Sequence, residues 1–233
     1  MSRTAQKITL VGAGLNGPLL ALELVKRGFS VEIYERRADM RRVRMSAGRS
    51  INLALSRRGI HALKEAGLWE EMQNIIIPMK GRIMHSSDCQ LTFQPYGKND
   101  SEVINSISRA DLNIALMNAA ESRGVKINFQ QRCTGIDLKS GSLRLHDEAS
   151  NENTTTDPAV VIGCDGSASA IRSEMLTLNR FTLSQQHLDY GYKELTIPAG
   201  ANGKQMLDKN GLHIWPRGNY MPAHELESLK RVE

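Results

Sequence analysis

Residues 8–37 read ITLVGAGLNGPLLALELVKRGFSVEIYERR, and few arrangements of such a stretch can bury its apolar positions. The apolar run KITLVGAG ends in glycines, which predicts a buried parallel strand. From Leu15 to Arg27, Leu19, Leu22 and Val25 recur at helical spacing, and Gly28 is placed to stop the helix. Pro18 suits the first helical turn, where no amide bond is lost. SVEIYER predicts a second strand, and a right-handed crossover makes the two strands parallel neighbours in a βαβ unit. At the junction stands Gly12-x-Gly14-x-x-Gly17. Gly12 allows the tight turn, Gly14 lets the backbone approach a diphosphate, and Gly17 lets helix pack on strand. The phosphate charge would lie against unpaired amides at the positive end of the helix. Glu35 closes the second strand 23 residues after Gly12, where it can accept hydrogen bonds from ribose hydroxyls. The loop does not itself choose between NAD and FAD.

Charge and cysteine content narrow the classes. The 233-residue chain carries a net charge of +5 with a pI near 9.2, which suits anionic ligands. Arg36, Arg37, Arg41, Arg42, Arg44 and Arg49 crowd together, as a solvated loop or as a phosphate-facing one. No aromatic residues interleave them, which argues against nucleic acid. Cys89, Cys133 and Cys164 share no metal-ligand spacing and read as buried thiols in a reducing compartment. No leader peptide or membrane-length apolar run is apparent, so a soluble cytoplasmic protein is expected.

Further along, SRRGIHALKEAGLWEEM predicts one or two short helices, with Ile60, Leu63, Ala66 and Leu68 on one face. GRIMHSSDCQLTFQPYG and VINSISR predict strands, with a turn near Ser87-Asp88. SRADLNIALMNAAESRG predicts a helix capped by Ser108 and Asp111 and closed by Gly124, with Leu112, Ala115, Leu116 and Ala119 on its apolar face. VKINFQQRC and AVVIGCDG predict two more strands with a polar hairpin between them. Beyond Arg172, GYKELTIP and LHIWPRGNYM look like sheet again, and PAHELESLKRVE like a charged, weakly helical tail.

A second segment bears on the cofactor. GCDGSASAIRS ends an apolar strand, turns through Asp165-Gly166 and enters a helix bearing Arg172. Asp165, Gly166, Ser169 and Arg172 resemble the Asp-Gly-x-x-Ser-x-x-Arg motif of single-component aromatic flavoprotein hydroxylases, the para-hydroxybenzoate hydroxylase class. An ordinary strand–turn–helix junction is the plainer reading of these residues alone. The resemblance implies FAD as cofactor and NADPH as co-substrate, with the aspartate near the flavin ribityl and diphosphate.

More narrowly, GRSINLALSRRGIHALKEAGL, IPMKGRIMH, PYG, SISRADLN, VIGCDGSASAIRS and GYKELTIP…LHIWPR resemble the kynurenine 3-monooxygenase family, from about Lys7 to Arg217. The resemblance implies FAD contacts at Asn16, at Tyr34, Glu35, Arg36 and Arg37, at Ala54, Arg109 and Cys133, and at Asp165. It also implies a substrate pair, Arg82 and Tyr96. An arginine fork gives the carboxylate of L-kynurenine two charge-assisted hydrogen bonds, and a tyrosine hydroxyl can add a third. NADPH and O2 would be consumed and one oxygen placed ortho to the aniline amine, a step of tryptophan catabolism. The protein's share is to position the ring and exclude water, so no general base or metal is nominated. His85 and His213 read as strand or surface histidines.

The expected fold class is α/β: a Rossmann-like FAD-binding domain of the GR2 type over 1–80 and 104–176, with a partial mixed or antiparallel substrate-binding sheet over 81–103 and 177–220. Residues 221–233 do not resemble the family, whose members run on well beyond this point. The expectation is an incomplete version with weakened FAD binding and lost hydroxylation. An inactive FAD-binding remnant, or another flavin monooxygenase such as an epoxidase, is the alternative. A halogenase is disfavoured by the lack of a Trp-x-Trp-x-Ile-like segment.

Overall fold

The computed structural model describes residues 6–43, 52–99, 101–189, 197, 200 and 206–224. They group into two units, one from Met1–Ser46 with Asn113–Gly191, the other from Ala47–Leu112 with Tyr192–Glu233.

The first unit grows from the βαβ element. Strand β1 (Lys7–Val11), helix α1 (Asn16–Lys26) and β2 (Ser30–Tyr34) follow each other, with β1 and β2 parallel. Strand β8 (Lys126–Asn128) pairs with β2 and β12 (Val161–Gly163) with β1, giving an all-parallel sheet in the order β12-β1-β2-β8. Ile8, Leu10, Val31 and Ile33 share one sheet face and are buried, as strands covered on both sides require. Pro18 lies in the first turn of α1, and the helix buries Gly17, Pro18, Ala21 and Leu22. Leu19 and Val25 are only half-buried, so small residues rather than leucines set the close helix–sheet approach.

The segment VKINFQQRC is not one strand. It breaks at Gln130, whose φ is +58°, into β8 and β9 (Gln131–Ile136), which belong to different sheets. The expected polar hairpin is a three-stranded antiparallel sheet, β11-β10-β9, with β10 at Leu143–Asp147 and β11 at Asn153–Thr156. It covers the second face of the parallel sheet, where Val11 packs with Ile136 and Leu143. Helix α5 (Ala170–Met175) follows β12 and packs on β9.

The second unit holds two sheets. Strands β3 (Asn52–Leu55) and β4 (Ile76–Met79), which sequence patterning does not single out, pair antiparallel with β7 (Ile104–Ser108) in the order β3-β7-β4. Helices α2 (Arg57–Glu65) and α3 (Trp69–Met72) stand between β3 and β4 and bury Leu63 and Met72. The other sheet runs β14-β13-β5-β6, with β5 at Gly81–His85, β6 at Leu91–Pro95, β13 at Gly211–Ile214 and β14 at Ala223–His224. Strand β14 stands where a weakly helical tail was expected, because Ala223–His224 pairs with His213 and Ile214. Helix α4 (Arg109–Ser122) is capped as anticipated, the Ser108 hydroxyl accepting from the Asp111 amide at 3.2 Å. GYKELTIP, apart from Ile197, lies outside the described residues, as do Arg44 and Arg49.

Candidate dinucleotide and carboxylate sites

Strand β1 delivers Gly12 into a turn with φ +101°, which a side chain rarely tolerates. A methyl group there would also meet the Cys164 carbonyl oxygen at 2.6 Å, and one on Gly17 would strike the Gly12 carbonyl. These two glycines are therefore required by the protein's own packing. Gly14 differs: a methyl group on it would touch nothing within 4 Å. Its N–H has no hydrogen-bond partner among the described residues. An open cradle with a free amide at the start of α1 fits a diphosphate.

Glu35 is buried at the end of β2, and its carboxylate ties the loop together. Its Oε2 accepts from the Ala13 N–H at 2.7 Å, and Oε1 accepts from the Arg37 N–H at 3.0 Å and Nε at 2.8 Å. Burial alone would push this carboxyl up, but the Arg37 and Ala13 hydrogen bonds and the Arg37 charge outweigh it and hold it below the usual carboxylate range. The neighbouring peptides close the same corner: the Gly12 N–H donates to Tyr34 O (2.8 Å) and the Cys164 N–H to Val11 O (2.7 Å). The Tyr34 hydroxyl bonds with Thr156, and its pKa is raised, chiefly by burial and by nearby Glu32. Asn16 and Arg36 are exposed at the rim.

The Asp165-Gly166 turn lies against this loop through Cys164. Asp165 Oδ2 accepts from the Ala170 N–H at 2.8 Å, the Ser169 hydroxyl accepts from the Arg172 N–H at 2.9 Å, and Gly166 has φ +82°. Arg172 returns to donate to the Gly166 and Ser167 carbonyls. Each residue of the sequence motif thus helps to hold the turn. Cys133 is half-buried beside Val11, Ile136 and Leu143, and burial pushes its thiol up. Cys164 is likewise half-buried, whereas Cys89, expected inside, is exposed with φ +64° in the β5–β6 turn. The hairpin must reverse there, and that leaves the thiol no core to enter.

In the second unit Ala54 is exposed on β3, opposite Ser106, and Arg109 is exposed at the start of α4. Arg82 and Tyr96 do come together. Arg82 pairs with Gln94 in the β5–β6 register, and its guanidinium carbon lies 5.6 Å from the centre of the Tyr96 ring. Among the described residues no carboxylate pairs with Arg82, so the surface ion pair that would make it ordinary is not what holds it.

Three arrangements escape sequence reading. Asn113, on the buried side of α4, donates to the Ala13 carbonyl at 3.2 Å. A polar residue breaking an apolar helical stripe was the one available signal. Arg41 joins Asp39, Glu121 and Asn118 and lies over Phe129, so one of the clustered arginines is structural; hydrogen bonds to Asp39 and Glu121 raise its pKa. His85 Nε2 and His213 Nδ1 are 2.8 Å apart, and Trp215 stacks on His85 with ring centres 4.2 Å apart.

Comparison with known proteins identifies the family and the fold. Residues 5–205 match the family described as FAD binding domain. The chain is 52% identical over 215 residues to kynurenine 3-monooxygenase of Myxococcus xanthus, covering 92% of this chain and 46% of that one. For the Dictyostelium discoideum protein of the same name the identity is 43%, with coverage of 92% and 45%. The chain thus spans about half the length of the curated relatives it matches. Among solved structures, p-nitrophenol 4-monooxygenase PnpA from Pseudomonas putida superposes with a TM-score of 0.61 at 16% identity, covering 74% of this chain and 44% of that one. The flavin-dependent monooxygenase PieE, in complex with FAD and substrate, gives 0.61 at 15% identity, covering 75% and 32%. These likenesses establish the fold.

Proposed function

The chain belongs to the FAD-binding domain family, and from that premise we propose that it serves FAD-dependent, NADPH-using hydroxylation of L-kynurenine to 3-hydroxykynurenine. The observation that carries the substrate is the Arg82–Tyr96 pair: a guanidinium 5.6 Å from the centre of a tyrosine ring, with no carboxylate paired to it among the described residues. Such a pair is made for a free carboxylate on an aromatic amino acid. The identity to kynurenine 3-monooxygenases over most of this chain supports the same substrate.

FAD would rest on Gly12, Gly14, Asn16 and Gly17, with Glu35 and its neighbours Tyr34, Arg36 and Arg37 toward the adenosine. Asp165 and Gly166, with Cys133, would lie toward the ribityl chain, and Ala54 and Arg109 are further FAD contacts in this reading. When bound, FAD would supply the redox chemistry by which NADPH and O2 are consumed, one oxygen atom entering the ring and the other leaving as water. The chain's own residues bind and orient. Gly14 and the first amides of α1 offer N–H groups to the diphosphate, Glu35 fixes the loop that carries them, and Arg82 with Tyr96 sets the amino-acid end of the substrate. Residues 81–103 and 177–220 form the substrate-binding part in this reading, and 1–80 with 104–176 the cofactor-binding part. It extends to a cytoplasmic location, in keeping with free thiols at Cys89, Cys133 and Cys164. No helix among the described residues is long and apolar enough to cross a membrane.

The test begins with the absorbance spectrum of the purified chain with and without FAD, followed by NADPH oxidation under air with kynurenine. Bound flavin with 3-hydroxykynurenine formed supports the whole proposal, and bound flavin without product limits the chain to cofactor binding. A folded chain that takes up no flavin overturns it. Arg82→Ala is expected to weaken kynurenine binding about ten- to a hundredfold, the worth of charge-assisted hydrogen bonds, with FAD affinity unchanged.

A further inference from the structure

The peptide between Ala13 and Gly14 is gripped from outside the glycine loop. Asn113 Nδ2 donates to the Ala13 carbonyl and also meets Met40 Sδ, both at 3.2 Å. Asn113 is 5% exposed, and its Oδ1 is buried with no partner among the described residues. Turned end for end, the amide would set Oδ1 against the Ala13 oxygen, two acceptors face to face. The position therefore uses its donor and leaves its acceptor idle. The preceding N–H, that of Ala13, is already taken by Glu35 Oε2 at 2.7 Å. In a trans peptide the C=O and N–H point in opposite directions. Holding the Ala13 oxygen toward Asn113 thus turns the Gly14 N–H the other way, and that N–H has no partner among the described residues. A hydrogen bond to the carbonyl also polarises the N–H of the same peptide and makes it the stronger donor.

We infer that Asn113 is a positioning residue for the diphosphate of a bound dinucleotide, aiming and strengthening the Gly14 N–H without touching the ligand. The inference rests on the FAD reading above and adds to it a residue on α4, far from the loop in sequence. A role confined to packing would ask for no donor here, and the unpaired Oδ1 shows that packing is not what the amide optimises.

The experiment uses the 233-residue chain with Asn113→Ala and the near-isosteric Asn113→Leu, so that one folded variant suffices. Calorimetry gives dissociation constants for FAD and ADP, and an NMR titration gives that for adenosine, which has base and ribose but no phosphate. The Gly14 amide resonance is read in the ligand-free protein. We expect FAD and ADP each to weaken about tenfold, the worth of one hydrogen bond. Adenosine should bind as before, and the Gly14 amide proton should move upfield. Equal weakening of adenosine, unchanged FAD and ADP binding, or an unmoved Gly14 resonance overturns the inference while leaving the FAD reading intact. A wild-type chain that binds neither FAD nor ADP overturns both.

Discussion

Three glycines of one motif do two different jobs. Gly12 and Gly17 are there because the protein's own backbone leaves no room for a side chain, whereas Gly14 faces open space with an ordinary φ. The two demands separate by substitution. Gly12→Ala is expected to cost about 2–4 kcal/mol, since it combines a positive φ with a clash against fixed backbone at Cys164. Gly14→Ala should leave stability within about 0.5 kcal/mol, yet reduce FAD affinity at least about tenfold, because its methyl group intrudes where a diphosphate would lie. Chemical denaturation and flavin titration of the two variants decide the matter. If Gly14→Ala destabilises the chain as much as Gly12→Ala does, the loop's glycines are all structural. If it binds FAD normally, the diphosphate does not lie there.

At the level of elements, the parts legible in the sequence are those whose pattern is local. Strand β1, α1 and β2 follow from one apolar run, one helical period and a second run, and α4 from its cap and stripe. The break between β8 and β9 is not local: VKINFQ and QRCTGI form one continuous β-favouring stretch, and only the different sheets they join force Gln130 to positive φ. Likewise β3 and β4 are short and become strands through pairing with β7, which lies far away in sequence. The His85–His213 pair is invisible for the same reason, since β5 and β13 meet only in the folded sheet. His213 Nε2 faces the Asp208 carbonyl oxygen at 2.9 Å and so carries a proton, which makes Nδ1 the acceptor for His85 Nε2–H. Arg217 donates to the His85 carbonyl at 2.9 Å. Burial, then His213, then Arg217 lower the pKa of His85. Protonation is therefore harder in the folded chain than in the unfolded one, where a histidine titrates near ~6.5. The resulting stability is present above that value and is lost as the pH falls through it toward the lower folded pKa. A melting series between about pH 7.5 and pH 5 should show this loss, and His85→Phe should flatten it. An equal slope in the variant would assign the loss to other groups.

The molecule as a whole divides its proposed chemistry: the diphosphate loop, Glu35 and Asp165 stand in one unit, Arg82 and Tyr96 in the other. Sequence motifs mark such groups of residues, because each is set by a few residues on one or two adjacent strands. They report poorly what surrounds them. Among the described residues strand β6 is at the edge of its sheet, with Leu91 64% and Phe93 53% exposed. Phe93 has local work, since its ring lies where a methyl group on Gly81 would come within 2.7 Å. Leu91, Thr92, Phe93 and Gln94 carry no charge, so β6 leaves an uncharged edge that can pair with another strand. The net charge of +5 opposes association only weakly, as screening at physiological salt confines it to about 8 Å. The chain should therefore self-associate as its concentration rises. Leu91→Lys puts a charge on the edge without disturbing the ring over Gly81, so it should shift sedimentation toward the monomer while changing stability by no more than about 0.5 kcal/mol. Two outcomes oppose this reading. A wild-type chain that sediments as a monomer at every concentration would mean that the edge is inert. Association that persists unchanged in Leu91→Lys would place the contact on another surface.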